Sequence, residues 1–220
     1  MTTTTANGTA APSVTLDSDK PVAETPIRLT RHRLDLILTG VGALTTVVLL
    51  VAGALLAWGS SFAGNYVTDE LAAQNISFPD QATLEQQGRD DLVQYAGEQV
   101  TTGAQAEAYA SFIGGHVAAV ADGATYADLG GPERAAKAAV TEAAANGAPA
   151  DEIADLQAKA DTISEQRETI FRGEMLRGAL LNTFAWDTVG RIAGYAAIAA
   201  FITGALMALL TVAGALHTKR

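Results

Sequence analysis

Two stretches of this chain carry no charged side chain: Leu36 to Trp58 and Ile192 to Leu216. They run 23 and 25 residues, and about 20 helical residues at 1.5 Å per residue cross the hydrocarbon core of a bilayer. A soluble domain rarely holds two such runs, because a helix that is apolar all round needs either a large core or lipid around it. The pair therefore predicts an all-α membrane protein: two antiparallel transmembrane helices flanking a mostly helical extracytoplasmic domain. The first run is also open to reading as a cleaved signal peptide, with Ser61-Phe62-Ala63 as small-residue spacing for cleavage. Its length and the more than 30 residues before it favour an uncleaved anchor, since signal cores run about 7–15 residues.

Charge sets the expected orientation. Arg28, Arg31 and Arg33 precede the first run, and the twenty residues after it contain no Lys or Arg. By the positive-inside bias the N-terminus faces the cytoplasm. Lys219-Arg220 at the far end suits the same side, although Arg167, Arg172, Arg177 and Arg191 precede the second run. The expected division is a disordered cytoplasmic tail over 1–33, a first span over 34–58, an external helical domain over 59–186, a second span over 187–216 and a cytoplasmic end over 217–220. The setting is a bacterial plasma membrane, both termini inside. Scarce Lys beside abundant Ala and Gly suggests a GC-rich genome.

Aromatic residues cluster at the outer ends of both runs. Trp58, Phe62 and Tyr66 follow the first, and Phe184 and Trp186 precede the second. Such rings favour the membrane–water boundary, where one side is apolar and the other wet. They are the expected interface anchors.

Between the runs, residues 59–183 hold 19 acidic and 7 basic residues, net −12. Alternation typical of strands is missing and helix punctuation is frequent. Residues 90–101 read as a helix with Leu92, Tyr95, Ala96, Gln99 and Val100 on one face, ended by Thr102-Gly103. A second follows over 104–121. Asp122-Gly123 is a turn, Pro132 suits a first helical turn, and Asn146-Gly147 closes that helix. Beyond Pro149, the residues Ile153, Leu156, Ala160, Ile163 and Ile170 recur at three- and four-residue intervals like a short coiled-coil seam interrupted by Arg167. That segment is expected to run almost directly into the second span, with kinks at Gly173 and Gly178.

Chemistry is sparse. The chain has no cysteine, which excludes disulfides, thiolate metal sites and covalent c-type haem. His116 is the one histidine of the external region and reads as a packed, hydrogen-bonded residue rather than a zinc ligand. Asp90-Asp91 and the group Asp151, Glu152, Asp155 lack calcium-loop spacing and read as solvated faces. Leu129-Gly130-Gly131-Pro132 is a helix entry, not a phosphate loop, because no Lys-Ser or Lys-Thr follows. Asp187 and Arg191, four apart, read as a local ion pair. Neither run holds an ionisable group at depth, as a proton or ion path requires. No catalytic residue, cofactor or metal is assigned, an enzyme is not expected, and the net charge of −10 argues against nucleic acid.

The strongest interaction signal is a stripe of small residues in the second run: Ala196, Ala200, Gly204 and Ala208, with Gly190 and Gly194 ahead of it. Gly53 and Ala57 in the first run complement them. Small residues let helices approach closely where no hydrophobic effect drives them together. The stripe serves either packing of the two helices on each other or a partner subunit. Expected partners are membrane lipid and other membrane-protein subunits; no small-molecule substrate is identified.

Several segments carry a family resemblance: Asp69-Glu70-Leu71-Ala72-Ala73-Gln74 through Phe78-Pro79, Tyr95-Ala96-Gly97, Ala106-Glu107-Ala108-Tyr109-Ala110, Thr125-Tyr126-Ala127-Asp128-Leu129, and Phe171-Arg172-Gly173-Glu174-Met175-Leu176-Arg177-Gly178 leading to Leu180-Leu181-Asn182. Over these the chain resembles a family of actinobacterial two-span membrane proteins of poorly defined function. Its topology is also similar to accessory subunits of the actinobacterial cytochrome bcc–aa3 respiratory supercomplex. That resemblance implies a cofactor-free accessory or structural subunit docked by its spans. The alternative is an extracytoplasmic ligand-sensing or scaffolding protein. Only His217 to Arg220 follow the second run, so a sensor is expected to signal through a separate partner.

Overall fold

A computed structural model describes residues 30–217, side chains of 31 and 32 aside. Residues 1–29 of the expected tail and the terminal basic pair lie outside the described residues, whereas 31–33, expected in the tail, already belong to the first helix. Five α-helices follow in order: α1 (Arg31–Gln74), α2 (Gln81–Gln86), α3 (Gly103–Val120), α4 (Gly130–Ala145) and α5 (Ala150–His217). A 3-10 helix, Asp90–Tyr95, sits between α2 and α3. Among the described residues the only β pairing is an isolated bridge, Ser77 to Gln99.

The two apolar runs lie inside the two longest helices, α1 with 44 residues and α5 with 68. Neither helix breaks where the apolar composition ends. At residues 58–59 and 186–187 the backbone stays helical, so that division is one of composition. Gly173 and Gly178 do not interrupt α5 either. Gly173 instead faces Val117 of α3, where the missing side chain lets the helices close.

The ends of the helices follow local chemistry. Asn75 stops α1 in the left-handed conformation (φ 51°), its N–H donating to the Ala72 carbonyl at 3.1 Å. Asp80 caps α2 by accepting from the Thr83 N–H at 2.8 Å. Gly147 (φ 71°) turns the chain after α4, and Pro149 precedes α5.

One expectation fails between 90 and 103. The helix expected over 90–101 is a short 3-10 turn followed by an extended piece, in which the Val100 N–H donates to the Ile76 carbonyl at 2.8 Å. Thr102-Gly103 begins a helix instead of ending one. The Thr102 hydroxyl accepts from the Gln105 N–H at 3.2 Å, and the Gln105 carboxamide reaches back to the Thr102 N–H at 3.1 Å. This reciprocal cap satisfies two otherwise orphaned donors. Thr–x–x–Gln was present in the sequence; the apolar positions before it suggested a helical face but serve the extended piece.

The core of the head forms where the upper part of α1 and the middle of α5 meet α3. Val67, Leu71, Phe78, Leu92, Val100, Ala106, Ala110, Phe112 and Leu180 are buried together. Phe78 is gripped by Tyr95 and Tyr109, each with its ring centre 5.2 Å away. A smaller cluster of Val117, Leu129 and Ile170 ties the end of α3 to α5.

Candidate functional site

The lower halves of α1 and α5 share a long seam. Gly42 faces Thr211, Gly53 faces Phe201, Gly204 faces Leu50, Gly194 faces Ser60 and Gly190 faces Ala63. Rising numbers on α1 thus meet falling numbers on α5. At Gly190 the neighbours are atoms fixed to the α1 backbone: an added Cβ would stand 3.0 Å from the Ala63 Cβ and 3.6 Å from the Ser60 carbonyl oxygen.

The small residues expected at this seam are distributed unevenly. Gly190, Gly204 and Gly53 are buried, and Gly194, Ala200, Ala208 and Ala57 are half-buried. Ala196 is exposed and faces away from α1; Ala197, 3% exposed, holds the buried place. The reason is pitch. A four-residue repeat winds about 40° around the helix per step at 3.6 residues per turn, so four such residues do not share one line. The observed seam instead repeats every seven residues, through positions 190, 197, 204 and 211 on α5 and 46, 53, 60 and 67 on α1. That interval nearly cancels the winding and gives coiled-coil packing. Polar side chains near the seam bond within their own helices: Thr46 donates to the Gly42 carbonyl at 2.8 Å and Thr211 to the Met207 carbonyl at 2.7 Å.

Away from the seam both helices present apolar side chains outward. Only 17% and 11% of their most apolar windows are buried, the reverse of a core helix. Leu38, Leu44, Leu55, Ile192, Leu209 and Leu210 are all exposed. Both helices are long and apolar enough to cross a membrane.

The aromatic residues mark the upper limit of this surface. Trp58, Phe62 and Tyr66 stack up one side of α1, with successive ring centres 5.8 and 6.3 Å apart. All three are exposed, as is Trp186, while Phe184 is half-buried. By the seam register Trp58 stands level with Tyr195, the most exposed of the aromatic rings at 71%. Tyr195 was missed in the sequence because it lies inside the uncharged run. Just above, Arg191 Nε contacts Asp187 Oδ2 at 3.2 Å, and Asp187 lies against Gly103 at the start of α3.

Two cavities occupy the crevice between α1 and α5 at this height. The lower, about 310 Å³, is almost wholly apolar and is lined by Gly59, Phe62, Ala63, Tyr66, Trp186, Val189, Gly190 and Ala193. The upper, about 360 Å³, shares Tyr66 and Trp186 but adds Glu70, Gln74, Asn182 and Thr183 among apolar neighbours.

The head holds one well-tied ionic cluster. The Glu133 carboxylate accepts from Lys137 Nζ and Arg167 Nη1, each at 2.6 Å, and from the Ser164 hydroxyl at 3.0 Å. Lys137 first, then Arg167 and Ser164, hold its pKa down to about 2. The Arg167 guanidinium also lies 3.9 Å over the Tyr126 ring. Arg167 therefore does not simply break the α5 seam; it fastens α4 and the preceding loop to it. His116 is hydrogen-bonded, its Nδ1 3.0 Å from the Phe112 carbonyl, but it is exposed rather than packed in the core. Among the described residues no three His, Asp or Glu side chains converge as a metal site would require.

Comparison with protein-family models, with curated proteins and with solved structures finds no match to this chain.

Proposed function

We propose that α1 and α5 cross a bacterial plasma membrane as an antiparallel hairpin, holding the helical head outside the cell, and that the chain is a non-catalytic accessory or structural subunit of a membrane complex. The exposed apolar surface around the seam carries this reading. Water around Leu38, Leu44, Leu209 and Leu210 costs about 25 cal/mol per Å² of apolar surface, and lipid or a membrane partner removes that cost. The seam already uses Gly53, Gly190 and Gly204 within the chain, which leaves the outward faces for lipid and other subunits. The resemblance to accessory subunits of the actinobacterial respiratory supercomplex supplies the first complex to examine.

The deciding experiment is extraction from membranes in mild detergent followed by affinity purification. Stoichiometric recovery of other membrane subunits supports the proposal, and a chain that elutes alone counts against it. A single cysteine placed at Gly147, in the turn between α4 and α5, tests the orientation. An impermeant thiol reagent is expected to label it on intact cells; labelling only after lysis reverses the orientation.

A second reading, a scaffold or sensor acting through a separate partner, draws on one observation. Helix α5 passes from the head into its apolar half without interruption, so a displacement in the head reaches the seam directly. A metabolite that raises the melting temperature of the full chain supports it.

A further inference from the structure

The two cavities between α1 and α5 are stacked in the order of an amphipathic molecule, apolar below and mixed polar and apolar above, joined at Tyr66 and Trp186. We propose that this crevice holds a membrane lipid whose headgroup is uncharged and hydroxyl-bearing, one chain in the lower cavity and the sugar-like head in the upper. The inference rests on the membrane-spanning reading above.

The floor of the lower cavity is bare because Gly59 and Gly190 lack side chains and Ala63 and Ala193 have short ones. Aromatic rings close its sides, as suits a hydrocarbon chain at the depth where the bilayer turns polar. Each cavity falls at the lower end of the range of about 300–1,000 Å³ typical of ligand pockets.

The upper cavity selects the head. Glu70, Gln74 and Asn182 line it with exposed side chains, none of which has a hydrogen-bond partner among the described residues. A carboxylate only accepts, while the two amides donate and accept, a set that matches hydroxyl groups. No Lys or Arg lines either cavity. A phosphate there would face Glu70 with no cation beside it, so the common anionic phospholipids are disfavoured.

Trp186 lies in the crevice and Trp58 is the one other tryptophan, so Trp58→Phe gives a chain with a single reporter at the site. This variant is reconstituted in nanodiscs containing either a monoglucosyl diacylglycerol or phosphatidylglycerol, each with brominated acyl chains that quench a neighbouring indole. Half-quenching is expected at about fivefold lower mole fraction of the glycolipid, the preference that one net hydrogen bond supplies. Ala193→Phe, which fills the lower cavity, is expected to reduce the quenching by both lipids. Asn182→Leu, which removes one of the three polar side chains of the upper cavity, is expected to bring the glycolipid curve toward that of phosphatidylglycerol. Equal quenching by the two lipids in a chain that enters the bilayer overturns the lipid site alone. Failure to enter the nanodisc at all overturns the membrane reading and the site with it.

Discussion

Gly190 and Gly178 lie on the same helix, twelve residues apart, and replacing each with Ala is chemically the same change. At Gly178 an added Cβ meets nothing within 4 Å. There the intrinsic preference of Ala over Gly in a helix interior is expected to dominate, a gain of about 0.5–1 kcal/mol. At Gly190 the same methyl would stand 3.0 Å from the Ala63 Cβ and 3.6 Å from the Ser60 carbonyl. The Ser60 carbonyl is at ordinary contact distance, but the Ala63 Cβ is too near and is fixed to the α1 backbone, so relief requires a small shift of the helices. Overpacking of this kind costs about 1–3 kcal/mol, which after the propensity gain leaves a net loss of roughly 0–2.5 kcal/mol. The two substitutions are therefore expected to differ by about 1–3 kcal/mol, or several degrees in melting temperature for a chain of this size. Gly204→Ala falls between them, because the nearest atom, 3.3 Å away, is the movable Cδ2 of Leu50. Thermal unfolding in detergent, followed by circular dichroism, ranks the three. Should Gly190→Ala stabilise the protein as much as Gly178→Ala, the close approach of the helices at Ala63 is refuted.

Other expectations follow from single contacts. Thr102→Ala removes the reciprocal cap of α3 and is expected to cost about 1 kcal/mol in the same assay. Gly103→Ala drives a methyl into the Asp187 side chain, 2.6 Å from its Cγ, and is expected to loosen the α3–α5 contact at a cost of about 1–3 kcal/mol, read as faster hydrogen exchange at the start of α3. Because Glu133 has a pKa lowered to about 2, its share of stability is full above its usual range near 4.5 and is lost as the pH falls toward 2. Melting temperatures of the wild type and Glu133→Gln should therefore converge across that interval; a constant gap removes the pH argument. Ile198→Leu, on an exposed face of α5, is expected to leave stability unchanged.

Much of this architecture was legible in residue order. Uncharged length located the long apolar helices, and Asn146-Gly147 with Pro149 located the α4–α5 turn, because those signals act within a few residues. A four-residue stripe of small residues includes Ala196, and only the register with α1 shows that within the chain Ala197 takes the buried place. The segment 90–101 misled for a similar reason. Leu92 and Val100 are apolar because the core around Phe78 needs them, and a core can be served by an extended piece as well as by a helix. The crevice with Glu70, Gln74 and Asn182 could not be found at all from one sequence, since its walls lie over a hundred residues apart.

Helix α5 has one further consequence. Its 68 residues make a rod about 100 Å long at 1.5 Å per residue, with no loop to absorb motion. Tilting such a rod by about 6° at one end carries the other through about 10 Å. Because one unbroken helix runs through both the head and the seam, the tip near Asn146 and Gly147 and the base of α5 lie on a single helix axis, about 100 Å apart.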